Sequence, residues 1–456
     1  MPFRLAVAIL LSIVAFSGAQ VPAKIAIIGD SLSREYQFEF PEFPEARNWV
    51  EILAARRSSD VDFGDLEELG PVLEFLISQL PLDPAIKDAI EDSDGLEYFE
   101  CNKAVPGFES EDYREYLTNV FLNPVNAAFR GWVHPALDDA DVVVIFIGGN
   151  DIDRVYHDNQ SSVDDKVDDI EGNINWLKDH VLDRNSDARI VIANVPHVGA
   201  TPQLKNDPNT INCPECTPRI TAALNDLNGR LQTLADSDPD FALADIYKLT
   251  LDTLDTSFYC IGGVSFINDS TDLTSNTSEH PNYVWLGGSI SQNFHPNTQG
   301  QAVVANAILT AINTFPEFDI PLLTNREIVE DVVGLEFDMA FNDWAAGFGL
   351  SNLSHGDDRE PDGIKAILEM AMDLDPTTFD KMPSPEIIGD DFTLTYPVRD
   401  QDCEYVILWP QYSTDGKTWN FADPSNVINN NDGTYTFSMP VSGNSILLTR
   451  LFASEN

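Results

Sequence analysis

Serine, glycine, asparagine and histidine recur along this chain in short blocks where the backbone is expected to turn, and together these residue types can run nucleophilic chemistry. Gly29-Asp30-Ser31-Leu32 ends an apolar run, and Asn102-Lys103-Ala104-Val105-Pro106-Gly107 comes next. Gly148-Gly149-Asn150-Asp151 ends a second apolar run, and His295-Pro296-Asn297-Thr298-Gln299-Gly300 opens a helical pattern. A serine in a tight turn after a strand presents its hydroxyl, and the positive end of a following helix favours its alkoxide. By itself the tetrapeptide fits an N-cap serine equally well. Glycine at 107 suits a close approach of backbone to a ligand and also suits an ordinary turn. Asn150, after two glycines, reads as an amide donor or as a turn residue.

The elements that must position these blocks alternate. Apolar runs at 24–28, 142–147, 189–193 and 241–244 read as strands, the second as the centre of a parallel sheet. Amphipathic patterns at 163–181, 218–235 and 298–312 read as helices between and after them. Such alternation predicts an α/β fold with a doubly wound parallel sheet sandwiched by helices. Chemistry in such folds sits past the carboxyl ends of the strands, where Ser31 and Asn150 both fall. Residues 60–97 read as an acidic insertion, a solvated helical excursion by default with a lid or substrate wall as the alternative, and 256–284 as an irregular loop that shapes a cleft.

Four blocks in this order are far more specific than any one of them. They resemble the Ser, Gly, Asn and His blocks of the SGNH/GDSL hydrolase family, over roughly residues 23–315. Asn194-Val195-Pro196-His197-Val198-Gly199-Ala200-Thr201-Pro202 also resembles the segment after a central strand in the lipase-like branch. The resemblance implies a flavodoxin-like sheet and a serine ester hydrolase needing no cofactor. It implies Ser31 as nucleophile and His295 as the base that passes the proton to the leaving alcohol. It also implies an oxyanion hole made by the backbone N–H groups of Ser31 and Gly107 and the side-chain amide of Asn150. One departure stands out: the family places an aspartate three residues before the histidine, and here that residue is Gln292. Its carbonyl can orient the imidazole but brings no negative charge. A Ser–His dyad helped by Gln292 is the preferred reading; an acid from elsewhere and a weakened enzyme remain open. His280 reads as a loop histidine, and His134, His157, His180, His197 and His355 as structural or surface groups.

The rest of the chain sets the context. Met1 to Ala19 carries a basic start, an apolar core and a small-residue end, which reads as a signal peptide and predicts a secreted protein. No later stretch reads as a transmembrane helix. With 75 acidic against 26 basic residues and a net charge of -49, partnership with nucleic acid or anionic membrane surfaces is disfavoured. The partners expected instead are small-molecule, lipid or polysaccharide esters. Of 5 cysteines, Cys213 and Cys216 suit a local disulfide better than zinc, and Cys101–Cys260 is one further pairing.

Composition changes after Phe315. The expected organisation is a signal peptide over 1–19, a catalytic domain over 20–320, a helical segment over 321–380 and an all-β module over 381–456. Asp358, Glu360, Asp362 and Glu369 occupy the first, third, fifth and twelfth positions of an EF-hand-like loop with Gly363 at the sixth. That pattern suits a structural Ca²⁺, although Glu at the third and Ala366 at the ninth positions depart from it, and a solvated acidic loop is the alternative. The stretch 362–371 resembles a segment of C-terminal modules in secreted bacterial proteins, which implies cell-surface or polymer attachment. Trp409 and Trp419 read as core rings rather than carbohydrate platforms. The rival to an enzyme is therefore a calcium-stabilised surface or adhesion protein whose hydrolase domain has lost turnover.

Overall fold

The computed structural model describes residues 21–40, 43–68, 97–118, 124–273, 281–288, 293–399, 406–441 and 447–455. The expected signal peptide, His280, Gln292, Cys403 and most of the 60–97 insertion lie outside them.

Five strands form a parallel sheet in the order β2-β1-β3-β4-β5: β1 (Ala23–Gly29), β2 (Val61–Asp62), β3 (Val142–Phe146), β4 (Arg189–Ala193) and β5 (Phe241–Ala244). This is the doubly wound order expected for a flavodoxin-like sheet. The strands are apolar on both faces because helices cover both. Ile25, Ile27, Val142, Val144 and Val191 pack toward α1 (Trp49–Arg56) and α8 (Thr298–Ile312). The alternate residues Ala26, Ile28, Val143, Ile145, Ile190 and Ile192 meet the opposite layer. That layer comprises α2 (Ser110–Thr118), α3 (Pro124–Asp138), α5 (Gln160–Arg184) and α6 (Cys216–Ser237). Two short helices, α4 (Gly149–Val155) and α7 (Ile246–Asp252), follow β3 and β5 directly.

The C-terminal region is built around α9 (Met339–Gly347), α10 (Ala366–Ala371) and antiparallel strands. One sheet pairs β6 (Asp391–Pro397) with β8 (Thr434–Pro440), and a second pairs β7 (Val406–Ser413) with β9 (Leu448–Glu455). Phe337, Ile364 and Met370 carry the apolar cluster of the α1/α8 face on to Leu394, Val406 and Phe437. Trp409 is half-buried with Nε1 donating to Ala422 O at 2.9 Å, and Trp419 lies under the Arg450 guanidinium at 4.3 Å.

Three expectations are corrected. At its described ends the insertion is strand rather than helix, supplying β2 and a strand pair, Leu66–Glu68 against Glu97–Phe99. The 256–284 stretch contains a hairpin, Phe258–Ile261 with Val264–Ile267, because Gly262 and Gly263 take positive φ and let the chain reverse. Cys101 is a buried free thiol, whereas Cys260 is disulfide-bonded, so those two are not paired; Cys213–Cys216 is bridged as expected.

Candidate active site

The carboxyl ends of β1 and β3 lie side by side, with Gly29 opposite Phe146. That closeness demands glycine: a Cβ on residue 29 would stand 2.8 Å from Phe146 O and 3.1 Å from Ser33 Oγ. The chain then turns at once. Asp30 O accepts from Ser33 N at 3.0 Å and Arg34 N at 3.2 Å, and Asp30 Oδ1 accepts from Leu32 N at 2.9 Å. No long helix follows; the next helical segment is only Tyr36–Glu39, so the dipole expected behind Ser31 reduces to one turn. Three side chains fix that turn. Asn48 Nδ2 donates to Arg34 O at 2.6 Å, Asn102 Nδ2 to Ser33 O at 2.7 Å, and Trp49 Nε1 to Ser33 Oγ at 3.1 Å.

The Gly107 block reaches Ser31 along the outer edge of β1. β2 pairs only with Ala23 and Lys24. Beyond it the edge is taken by 101–105: Ile27 N donates to Cys101 O at 3.0 Å, Lys103 N to Ile27 O at 2.9 Å and Val105 N to Gly29 O at 2.9 Å. The buried Tyr113 Oη locks both segments, donating to Lys103 O at 2.6 Å and accepting from Gly29 N at 3.2 Å. Gly107 has φ +76, which glycine adopts without strain, and a Cβ there would meet nothing within 4 Å. The requirement is conformational, and the space over the residue is open.

Asn150 sits in the first turn of α4, reached through Gly148 at φ +116. Its Nδ2 donates to Phe108 O at 2.9 Å, which ties it to the Gly107 block and leaves its second N–H to donate elsewhere. Asp151 accepts from Ser110 N at 2.8 Å and Ser110 Oγ at 2.9 Å, and burial pushes its carboxyl up to about 6. Burial likewise pushes the Asp30 carboxyl up to about 7, against the pull of the Leu32 N–H.

His295 arrives from the opposite side. Its carbonyl accepts from Leu286 N at 2.9 Å, Pro296 O accepts from Tyr36 Oη at 2.7 Å, and Asn297 caps α8 immediately after. Tyr36, Phe40 and Phe294 surround the imidazole, with ring centroids at 6.3, 5.0 and 5.6 Å. His295 Nε2 lies 2.8 Å from Ser31 Oγ, and both residues are buried. Sequence spacing missed Tyr36, Phe40, Tyr113 and Gln301, whose Nε2 donates to Tyr36 Oη at 2.6 Å. A tyrosine five residues after a turn serine offers no motif to read.

Beside this pair lies an almost wholly apolar cavity of about 70 Å³. Leu32, Phe294 and Pro296, the chain neighbours of Ser31 and His295, line it together with Pro196, Leu249 and Trp285. The other described histidines are held elsewhere. His197 is buried, its Nε2 lies 2.8 Å from Thr221 Oγ1, and desolvation lowers it to about 4. His134 and His180 face each other at 3.2 Å, and His157 meets Thr210 Oγ1 at 2.8 Å. His355 packs edge-on to Phe341 at 4.3 Å. Far along the chain, the Asp358, Glu360, Asp362 and Glu369 loop lies beside α10, not with Ser31. Among the described residues no group of three or more His, Cys, Asp or Glu side chains stands at the spacing of a metal centre.

A serine and a histidine in contact past the carboxyl ends of a parallel sheet, with glycine and asparagine blocks beside them, define an α/β ester-bond hydrolase of the SGNH fold. Residues 25–308 match the GDSL-like lipase/acylhydrolase model, and the chain belongs to that family. Among solved structures it is similar to the extracellular lipase from Streptomyces rimosus, at 15% identity over 64% of this chain and 99% of that one, with a TM-score of 0.33. It is similar also to phospholipase A1 from Streptomyces albidoflavus NA297, at 14% identity over 64% and 99%, with a TM-score of 0.32. No curated protein matches the chain. Among the described residues no helix is long and apolar enough to cross a membrane.

Proposed function

We propose that this chain is a secreted carboxylic-ester hydrolase working through a Ser31 acyl-enzyme. The observation that carries the reading is the 2.8 Å contact between Ser31 Oγ and His295 Nε2. Ser31 Oγ attacks the acyl carbon while Nε2 takes its proton; the tetrahedral oxyanion is met by the N–H groups of Ser31 and Gly107 and by Asn150 Nδ2. The imidazolium then protonates the leaving alcohol, and a water activated by the same nitrogen releases the acid and restores Ser31. On this reading Gln292, outside the described residues, is the residue expected to orient the ring in place of a carboxylate. No metal or cofactor enters these steps. The apolar cavity next to the pair favours an ester whose acyl group is an alkyl chain over an acetyl group on a sugar. Export through the 1–19 segment belongs to the same reading.

Labelling with a fluorophosphonate probe tests it. The full chain should be labelled, and a folded Ser31→Ala variant should not. Labelling retained in Ser31→Ala, or absent from the unaltered chain, overturns the assignment.

A further inference from the structure

The acidic loop of the C-terminal region has a feature that its sequence pattern does not reveal. Glu369, on α10, is only 1% exposed, and its Oε1 has no hydrogen-bond partner. Both carboxylate oxygens of Glu360 are likewise shut off from solvent without a partner. Among the described residues neither side chain forms an ion pair with Lys, Arg or His. A buried carboxylate with nothing to neutralise it is strongly disfavoured, so natural proteins pair such groups or give them to a cation. The fields acting on Glu369 come from Glu360, Asp362, Asp380 and Asp358, all of the same sign.

Asp380 is the addition that the structure makes. It lies beyond the loop, yet its backbone N–H donates to Asp362 Oδ2 at 2.8 Å, which brings its carboxylate to the same cluster. The loop itself is shaped by Asp358, whose Oδ1 accepts from Asp362 N at 3.1 Å and Oδ2 from Gly363 N at 3.0 Å, with Gly363 at φ +91. Ala366 stands where such a loop would supply its ninth-position ligand, and Asp380 is the further carboxylate that the structure brings to the cluster.

We propose that Asp358, Glu360, Asp362, Glu369 and Asp380 hold one Ca²⁺. Carboxylate oxygens are the ligands this hard cation prefers, and its six to eight positions tolerate an irregular cage better than the strict octahedron of Mg²⁺. The carboxylates do not stand at metal-bound spacing, so they close on the ion by rotating about their side-chain bonds. The bound ion joins three pieces of chain: the loop, helix α10 and the arm through Asp380. Because α10 packs on β7 and β9, and Arg399 N donates to Ala371 O at 2.9 Å, the ion fastens the β region to the rest.

The test uses the full chain after dialysis against EDTA. Titration calorimetry with CaCl₂ should show one equivalent bound at sub-millimolar or better affinity, with Mg²⁺ at least about tenfold weaker. Calcium should raise the melting temperature of the unaltered chain. Glu369→Gln and Glu360→Gln should each weaken Ca²⁺ binding about tenfold or more while ester turnover stays unchanged. In EDTA, Glu369→Gln should melt no lower than the unaltered chain, because it removes a buried like charge. That outcome separates a ligand from a packing residue. Absence of Ca²⁺ binding, or full binding retained in both variants, overturns the site.

Discussion

Replacing Asn150 by alanine separates its two uses. In the fold, Nδ2 holds Phe108 O at 2.9 Å, a neutral hydrogen bond contributing about 1 kcal/mol. Helix α4 keeps its anchor through Asp151 and Ser110, at 2.8 and 2.9 Å, so the variant should fold with a modest loss of stability. In the proposed reaction, the second N–H of the same amide meets charge that exists only once Ser31 has attacked. Removing such a donor typically costs roughly 10²–10³ in kcat, or about 2.7–4 kcal/mol. KM should stay within about twofold, because the ester ground state makes little use of the donor. Asn150→Asp keeps the volume, loses the bond to Phe108 O and places a third carboxylate beside Asp30 and Asp151; it should be slower still. Steady-state hydrolysis of a p-nitrophenyl ester, with circular dichroism melting as the control for folding, gives both numbers. A folded Asn150→Ala variant whose kcat stays within about threefold of the unaltered chain refutes the oxyanion role. A loss that appears entirely in KM refutes it equally.

Asp30 gives a pH signature. Its carboxyl holds a proton up to about 7 in the fold, against 3.8 ordinarily, so its contribution is intact below about pH 4 and is lost as pH climbs through 7, by up to roughly 4 kcal/mol. Urea midpoints of Asp30→Asn should therefore gain on the unaltered chain between pH 4 and 8, and a pH-independent gap would sink the argument. Gln292→Asp should keep or raise ester turnover, since it adds the charge that steadies an imidazolium; an inactive but folded variant would show that residue 292 does not orient the ring. Leu249→Trp fills the apolar cavity and should lower kcat/KM for long-chain p-nitrophenyl esters while sparing the acetate; equal losses along the series would detach the cavity from the acyl group.

The parts of the fold that were legible in the sequence are those in which one residue pattern answers to one environment. Val142–Phe146 is apolar throughout and Arg189–Ala193 is apolar after its first residue because helices cover both faces, and 298–312 runs helical from its Asn297 cap. The candidate catalytic blocks were legible for a related reason. Gly29 and Gly148 mark backbone positions that a side chain would obstruct, and Ser31 and Asn150 sit just beyond them. What could not be read depends on partners distant in sequence. β2 is two residues long and becomes a strand only against β1; the Phe258–Ile261 hairpin hides among polar neighbours. Tyr36 and Tyr113 act through bonds to Pro296, Gly29 and Lys103 that no local spacing encodes. Asp380 lies outside any loop motif and joins the acidic cluster only through Asp362.

The short ladder of Leu66–Glu68 against Glu97–Phe99, with Tyr98 Oη donating to Glu67 at 3.0 Å, has an evolutionary consequence. It works as a drawstring: whatever chain lies between its ends, the return path delivers 101–105 to the same edge of β1. The intervening stretch is therefore a cassette. It can lengthen, shorten or be exchanged for another sequence at little entropic cost, since closing a loop grows harder only slowly with its length. Sequence can vary there without moving Gly107 relative to Ser31, and a foreign segment grafted between residues 68 and 97 should leave the Ser31–His295 geometry intact.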